Sequence, residues 1–144
     1  MTETIETNWV GNMVFESDIE KFKMTMDSEE QYGGTHRGPR PKMVLLGALA
    51  GCTGMDVISI LRKKQVIPDS FKISVSGELA ETYPKSFTKI HILFELRGKG
   101  YKNNEEIFAK AERAVKLSQD TYCAISAMIR DSCELTHELI LADS

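Results

Sequence analysis

The sequence predicts an α+β fold, and three features carry that reading. Apolar residues recur at every second position in several separated stretches, as strands require. One long apolar run lacks that alternation and is long enough for a helix. The strands are grouped, not interleaved one by one with helices. At 144 residues the chain is read as one domain, 1–144, able to bury roughly two-thirds of the surface its unfolded form exposes.

Taken in order, Ile5, Thr7 and Trp9 alternate with polar residues, Met13 and Phe15 continue the pattern, and Phe22, Met24 and Met26 alternate with Lys21, Lys23 and Thr25. These predict two or three antiparallel strands. The segment Tyr32-Gly-Gly-Thr-His-Arg-Gly-Pro-Arg-Pro41 is dense in glycine and proline and reads as a loop. A helix then opens near Pro41 and closes around Lys63-Lys64, whose charges suit a helix C-terminus, with Pro68 blocking its continuation. Phe71, Ile73, Val75 and Leu79 mark one strand and Ile90, Ile92, Phe94 and Leu96 another, joined as a hairpin through Glu81-Thr-Tyr-Pro-Lys-Ser86. Asn103 with Glu106 resembles a capping box, after which Ile107, Ala111, Ala114 and Val115 share a helical face. A short helix is expected from about Asp120 to Arg130. The last strand places Cys133, Leu135, His137, Leu139 and Leu141 on one side and Glu134, Thr136 and Glu138 on the other.

Composition narrows the function classes. A formal net charge of −3 with dispersed lysines and arginines gives no field for nucleic acid. The run from Met43 to Leu61 is the one conceivable membrane span, but it carries Thr53, Asp56, Ser59 and three glycines, so a core helix is expected instead. With three cysteines and no leading apolar signal segment, the expected setting is a reducing compartment, the cytoplasm, where a disulfide would be transient and functional.

Cys52 and Cys123 are the candidate reactive residues. Cys52 ends the run Leu45-Leu-Gly-Ala-Leu-Ala-Gly-Cys52 among small neighbours that leave room for a reactant, and Cys123 sits in Tyr122-Cys-Ala-Ile-Ser126 at a helix start. Two readings stand side by side: a two-thiol redox pair brought together by folding, or two buried cysteines acting as small hydrophobes. Cys133, alternating with leucines, reads as core, and His137 on the same face as a partly buried histidine. No C-x-x-C or H-x-x-x-H spacing points to zinc. Asp56, four residues after Cys52, shares its helical face; a carboxylate there would raise the thiol pKa, so Asp56 is expected to pair elsewhere. Met24, Met26, Met43, Met55 and Met128 are expected mainly to fill core.

The chain resembles the OsmC/Ohr superfamily of thiol-dependent hydroperoxide-reducing proteins, in particular its OsmC-like branch. The residues that carry the likeness are Gly38-Pro-Arg-Pro41, Leu45-Leu-Gly-Ala-Leu-Ala-Gly-Cys-Thr53, Asp56-Val-Ile-Ser-Ile-Leu-Arg-Lys63, Ala114-Val-Lys-Leu-Ser118, Tyr122-Cys-Ala-Ile-Ser126 and Glu134-Leu-Thr-His-Glu138. The resemblance implies antiparallel sheets wrapped around two central helices in an intertwined homodimer, with active sites at the subunit interface. It implies that Cys52 attacks an organic hydroperoxide, that Cys123 resolves the product as a disulfide, and that a small dithiol or a lipoyl-bearing protein regenerates the pair. No metal or organic cofactor is implied.

The attacking sulfur must be a thiolate, and Cys52 lies too far into its helix to use the N-terminal dipole, so a cationic side chain is required. The family's peroxidases supply an arginine before the cysteine helix, held by a glutamate near the start of that helix. Arg37 is the candidate for the arginine, with Glu29 or Glu30 to orient it, because Lys42-Met43 stands where the glutamate would be. The departure leaves an alternative reading: an OsmC-like dimer without turnover that binds an apolar or amphipathic ligand or senses redox state.

Overall fold

The N-terminal alternation does produce strands. In the computed structural model, which describes residues 1–144, β1 (Glu6–Trp9), β2 (Phe15–Ile19) and β3 (Phe22–Met26) pair in that order as an antiparallel sheet. Trp9 lies opposite Phe15, and the chain reverses between them through Gly11 and Asn12, both at positive φ. Met13 belongs to this turn, not to a strand. The sheet lies in the first of two compact units, Met1–Leu45 and Leu46–Ser144. Its apolar face is largely uncovered in the single chain: Trp9 is 65 % and Phe22 75 % exposed, while Val14 and Ser17 are buried.

The loop after β3 is held by one carboxylate. Asp27 is buried and accepts hydrogen bonds from the backbone N–H of Ser28, Thr35 and Arg37 and from the Thr35 hydroxyl, at 2.7 to 3.1 Å. These donors, the Thr35 N–H foremost, lower its pKa to about 2. A depressed pKa means that the charged form stabilises the fold above the ordinary carboxylate pKa, near 4, and that this contribution is lost as pH falls through about 2. Asp27→Asn is therefore expected to lower the urea midpoint at neutral pH. The gap to wild type should close between about pH 4 and pH 2; a gap independent of pH would contradict this role.

In the second unit the long helix α1 (Pro41–Lys63, its start in the preceding unit) ends at Lys63, within the predicted Lys63-Lys64 close, with Arg62 and Lys63 in its last turn. By length and composition it could cross a membrane, but Leu46, Leu49, Thr53, Val57 and Leu61 are buried in the protein core. Gly54 matters here, since a Cβ on it would stand 2.7 Å from Ile73 Cδ1. Strand β4 (Ser70–Leu79) runs antiparallel to β5 (Phe87–Arg97), whose Ile90, Ile92, Phe94 and Leu96 are all buried. Helix α2 (Glu105–Leu117), a π-helical turn (Ser118–Tyr122) and helix α3 (Ala124–Arg130) lead to β6 (Glu134–Ala142). The α+β class and the element order thus match the sequence reading.

Several details differ. β6 pairs with β5 in parallel, so this sheet is mixed, not antiparallel throughout; the long helical connection returns the chain to the end of the sheet where β5 began. The α2 cap is Asn104, whose Oδ1 accepts the Ile107 N–H, while Asn103 turns left-handed at φ +59°. The second short helix starts at Ala124, not near Asp120, because the π turn occupies 118–122. His137 is exposed and meets the edge of Phe94, not partly buried. Met43, Met55 and Met128 are exposed on helix faces turned away from the core, so they do not fill it. Cys133 is half-buried against the core as expected, and burial raises its pKa.

Candidate active site

Folding brings the two candidate thiols together across 71 residues of sequence. Cys52 projects from the middle of α1 and Cys123 is the N-cap of α3, and their Sγ atoms lie in hydrogen-bond contact at 2.9 Å, both as free thiols. Cys123 is 2 % exposed and Cys52 is half-buried. Consecutive backbone groups at the start of α3 serve the two sulfurs: the Ser126 N–H donates to Cys123 at 3.3 Å and the Ile125 N–H to Cys52. The capping sulfur replaces the usual cap oxygen, which ties the α3 terminus to the thiol pair.

Burial pushes the Cys52 thiol above its ordinary pKa, aided by the hydrogen bond to Cys123 and by the Asp56 carboxylate, and the Ile125 N–H opposes them. Asp56 pairs as the sequence suggests, accepting from the Ser118 hydroxyl at 2.9 Å, yet it stays beside the thiols. One carboxylate oxygen and the two sulfurs all lie within 4.8 Å of one another.

A buried polar network supports this arrangement. Thr53 Oγ1 and Ser118 Oγ share a hydrogen bond of 2.8 Å, Gln119 Nε2 donates to Thr53 Oγ1 at 2.8 Å, and Arg130 donates to the Gln119 carbonyl. Ser118 and Gln119 reach α1 because the π turn re-aims them off the α2 axis. The sequence reading missed this pair; the signal was two polar residues just ahead of Tyr122-Cys123 inside a helical pattern. Ser126, whose N–H donates to Cys123, has its Oγ buried without a partner. Tyr122, next to Cys123 in the chain, is 60 % exposed.

Arg37 lies in the first unit, and its contacts there differ from expectation. Its guanidinium stands 3.9 Å from Glu16, and its backbone N–H donates to Asp27. Glu29 instead pairs with Arg40, and Glu30 faces His36, so neither orients Arg37. The first turn of α1 holds no acidic residue, as the Lys42-Met43 reading indicated. A depression of about 430 Å³ at Asn103, Asn104, Glu105, Phe108 and Leu141 includes neither thiol.

Comparison with known proteins fits this geometry to a family. A sequence model described as "OsmC-like protein" matches residues 33–138, which include both cysteines and the whole polar network. The chain belongs to the OsmC-like family. Protein YhfA of Escherichia coli K12 is 32 % identical over 101 residues, covering 70 % of this chain and 72 % of YhfA. A hypothetical protein from Aquifex aeolicus VF5 superposes with a TM-score of 0.84 at 28 % identity, over 100 % of this chain and 98 % of its own. An organic hydroperoxide resistance protein OsmC from Legionella pneumophila shares the fold, with a TM-score of 0.66 at 15 % identity over 96 % of each chain.

Proposed function

We propose that this OsmC-like protein is a thiol peroxidase that reduces organic hydroperoxides through Cys52 and Cys123. The observation that carries the proposal is the 2.9 Å contact between a half-buried and a fully buried thiol. In the oxidative step the Cys52 thiolate attacks the terminal oxygen of ROOH; the O–O bond breaks, ROH departs with a proton, and Cys52 becomes a sulfenic acid. Cys123 then attacks that sulfur. The S–S bond forms, the S–O bond breaks, and the hydroxyl leaves as water with the Cys123 proton. An external dithiol or a dihydrolipoyl protein returns two electrons and two protons.

The cation that ionises Cys52 is Arg37, acting across a homodimer interface on the other copy. Two things favour a homodimer. Apolar side chains are left bare on both units, among them Trp9, Phe15, Phe22, Met55 and Met128, and the family resemblance carries an intertwined dimer. Cells would use the activity in the cytoplasm for oxidative or osmotic stress defence. Sedimentation should give a dimer whose urea midpoint rises with protein concentration; a monomer with a concentration-independent midpoint would contradict the interface.

The test of function is hydroperoxide-dependent oxidation of dithiothreitol or of a dihydrolipoyl protein, with cumene hydroperoxide and hydrogen peroxide in parallel. Turnover faster with the organic substrate, and reduced in Arg37→Ala, is expected. The absence of an acidic residue in the first turn of α1 favours a second reading, ligand binding or redox sensing without turnover. Stable dimers inert to both peroxides would replace the first reading by the second.

A further inference from the structure

We propose that the reduced thiol pair and Asp56 together form a binding site for a thiophilic divalent cation, zinc above all. Sequence spacing hides the site, because its ligands come from the middle of α1 and from the N-cap of α3. Two sulfurs and one carboxylate oxygen, all within 4.8 Å of one another, are a zinc-type donor set with a fourth position left for water. Tetrahedral zinc places such ligand atoms about 3.5 to 3.8 Å apart, given bonds near 2.3 Å to sulfur and 2.0 Å to oxygen. The sulfurs, now 2.9 Å apart, have to separate by less than about 1 Å, and the carboxylate oxygen, within 4.8 Å of both, has to close in by at most about 1.3 Å.

The outer shell is what distinguishes this cluster from an accidental meeting of polar groups. Each ligand already has a donor that fixes it: the Ile125 N–H for Cys52, the Ser126 N–H for Cys123 and the Ser118 hydroxyl for Asp56. Ser118 is fully buried and is itself held by Thr53, so the Asp56 donor does not wander. Two thiolates and a carboxylate offset the charge of a dication. A bound cation would occupy the sulfur that the proposed peroxidase needs free, so metal and hydroperoxide would compete for one site.

The test uses full-length reduced protein and zinc alone, titrated against a chromophoric chelator, with no hydroperoxide present. Metal binding therefore stands or falls separately from peroxidase turnover. One zinc per chain is expected, with Cys52 and Cys123 shielded from a thiol-reactive disulfide reagent and Cys133 not. Asp56→Asn should weaken binding by at least about 10- to 100-fold, the loss typical of even an outer-shell partner. Should that variant not fold, X-ray absorption on zinc-loaded wild type decides: a shell of two sulfurs and two oxygens is expected. No stoichiometric binding, wild-type affinity in Asp56→Asn, or a shell without oxygen would overturn the site.

Discussion

Cys52→Ser is expected to lower hydroperoxide turnover by about three orders of magnitude or more while leaving the fold intact. A serine oxygen cannot pass through a sulfenic acid, so the first bond-forming step has no substitute. The replacement is nearly isosteric at a half-buried position, and the supporting contacts among Thr53, Ser118 and Gln119 do not involve the sulfur. Cys123→Ser should behave differently. Its Cys52 is still oxidised once, but nothing resolves the product, so consumption stops after about one equivalent of peroxide. Steady-state and single-turnover assays on the two variants separate these roles. Consumption of one equivalent of peroxide at the same single-turnover rate in both variants would argue that Cys52 is not the nucleophile.

Phe94→Ala should produce the largest loss of stability, about 3 to 5 kcal/mol, set against a total of about 5 to 15 for a domain. Phe94 is fully buried on β5, between Ile92 and Leu96, and its ring stacks on Phe71 at 6.3 Å and meets His137 edge-on at 6.4 Å. Strands β4 and β6 flank it on both sides, in pairs Ile73 with Phe94 and Phe94 with Leu139. Truncation leaves a cavity that three paired strands cannot close. Urea unfolding at one fixed protein concentration reads the effect, since dimerisation would otherwise shift the midpoint. A cost below about 1 kcal/mol would mean that the sheet repacks freely.

The parts of the fold legible in the sequence are those that depend on periodicity. Ile90, Ile92, Phe94 and Leu96 bury one face of a strand, and a strict alternation says so. Helix α1 was equally plain, from Pro41 at its first position to its close at Lys63, where Lys63-Lys64 marked the end. Strand direction was not, because the pattern of β6 reads the same in either sense and only the α2–α3 connection makes it parallel to β5. Nor can alternation tell which apolar face is covered: Trp9 and Phe22 occupy strands as expected yet lie bare in one chain. Asn104 displaced Asn103 as the cap because the left-handed turn at Asn103 shifts the helix start by one residue.

At the site, residue type and family likeness singled out both cysteines, but their contact is a tertiary fact. Asp56 was visible as a helical neighbour of Cys52, whereas Ser118 and Gln119 showed only as polar residues inside a helical pattern, and the π turn is what brings Ser118 to Asp56. The Glu16 partner of Arg37 lay hidden for a similar reason, since sequence proximity favoured Glu29 and Glu30 and the sheet supplied Glu16 instead.

The measurement that bears most directly on the redox pair is mass spectrometry of the thiols after one equivalent of cumene hydroperoxide. Wild type is predicted to form a Cys52–Cys123 disulfide within seconds, with Cys133 still reduced, and Cys123→Ser to accumulate sulfenic acid on Cys52. Unreacted thiols after minutes, or a first oxidation on Cys123 in Cys52→Ser at the wild-type rate, would contradict the assignment of Cys52 as the peroxidatic residue.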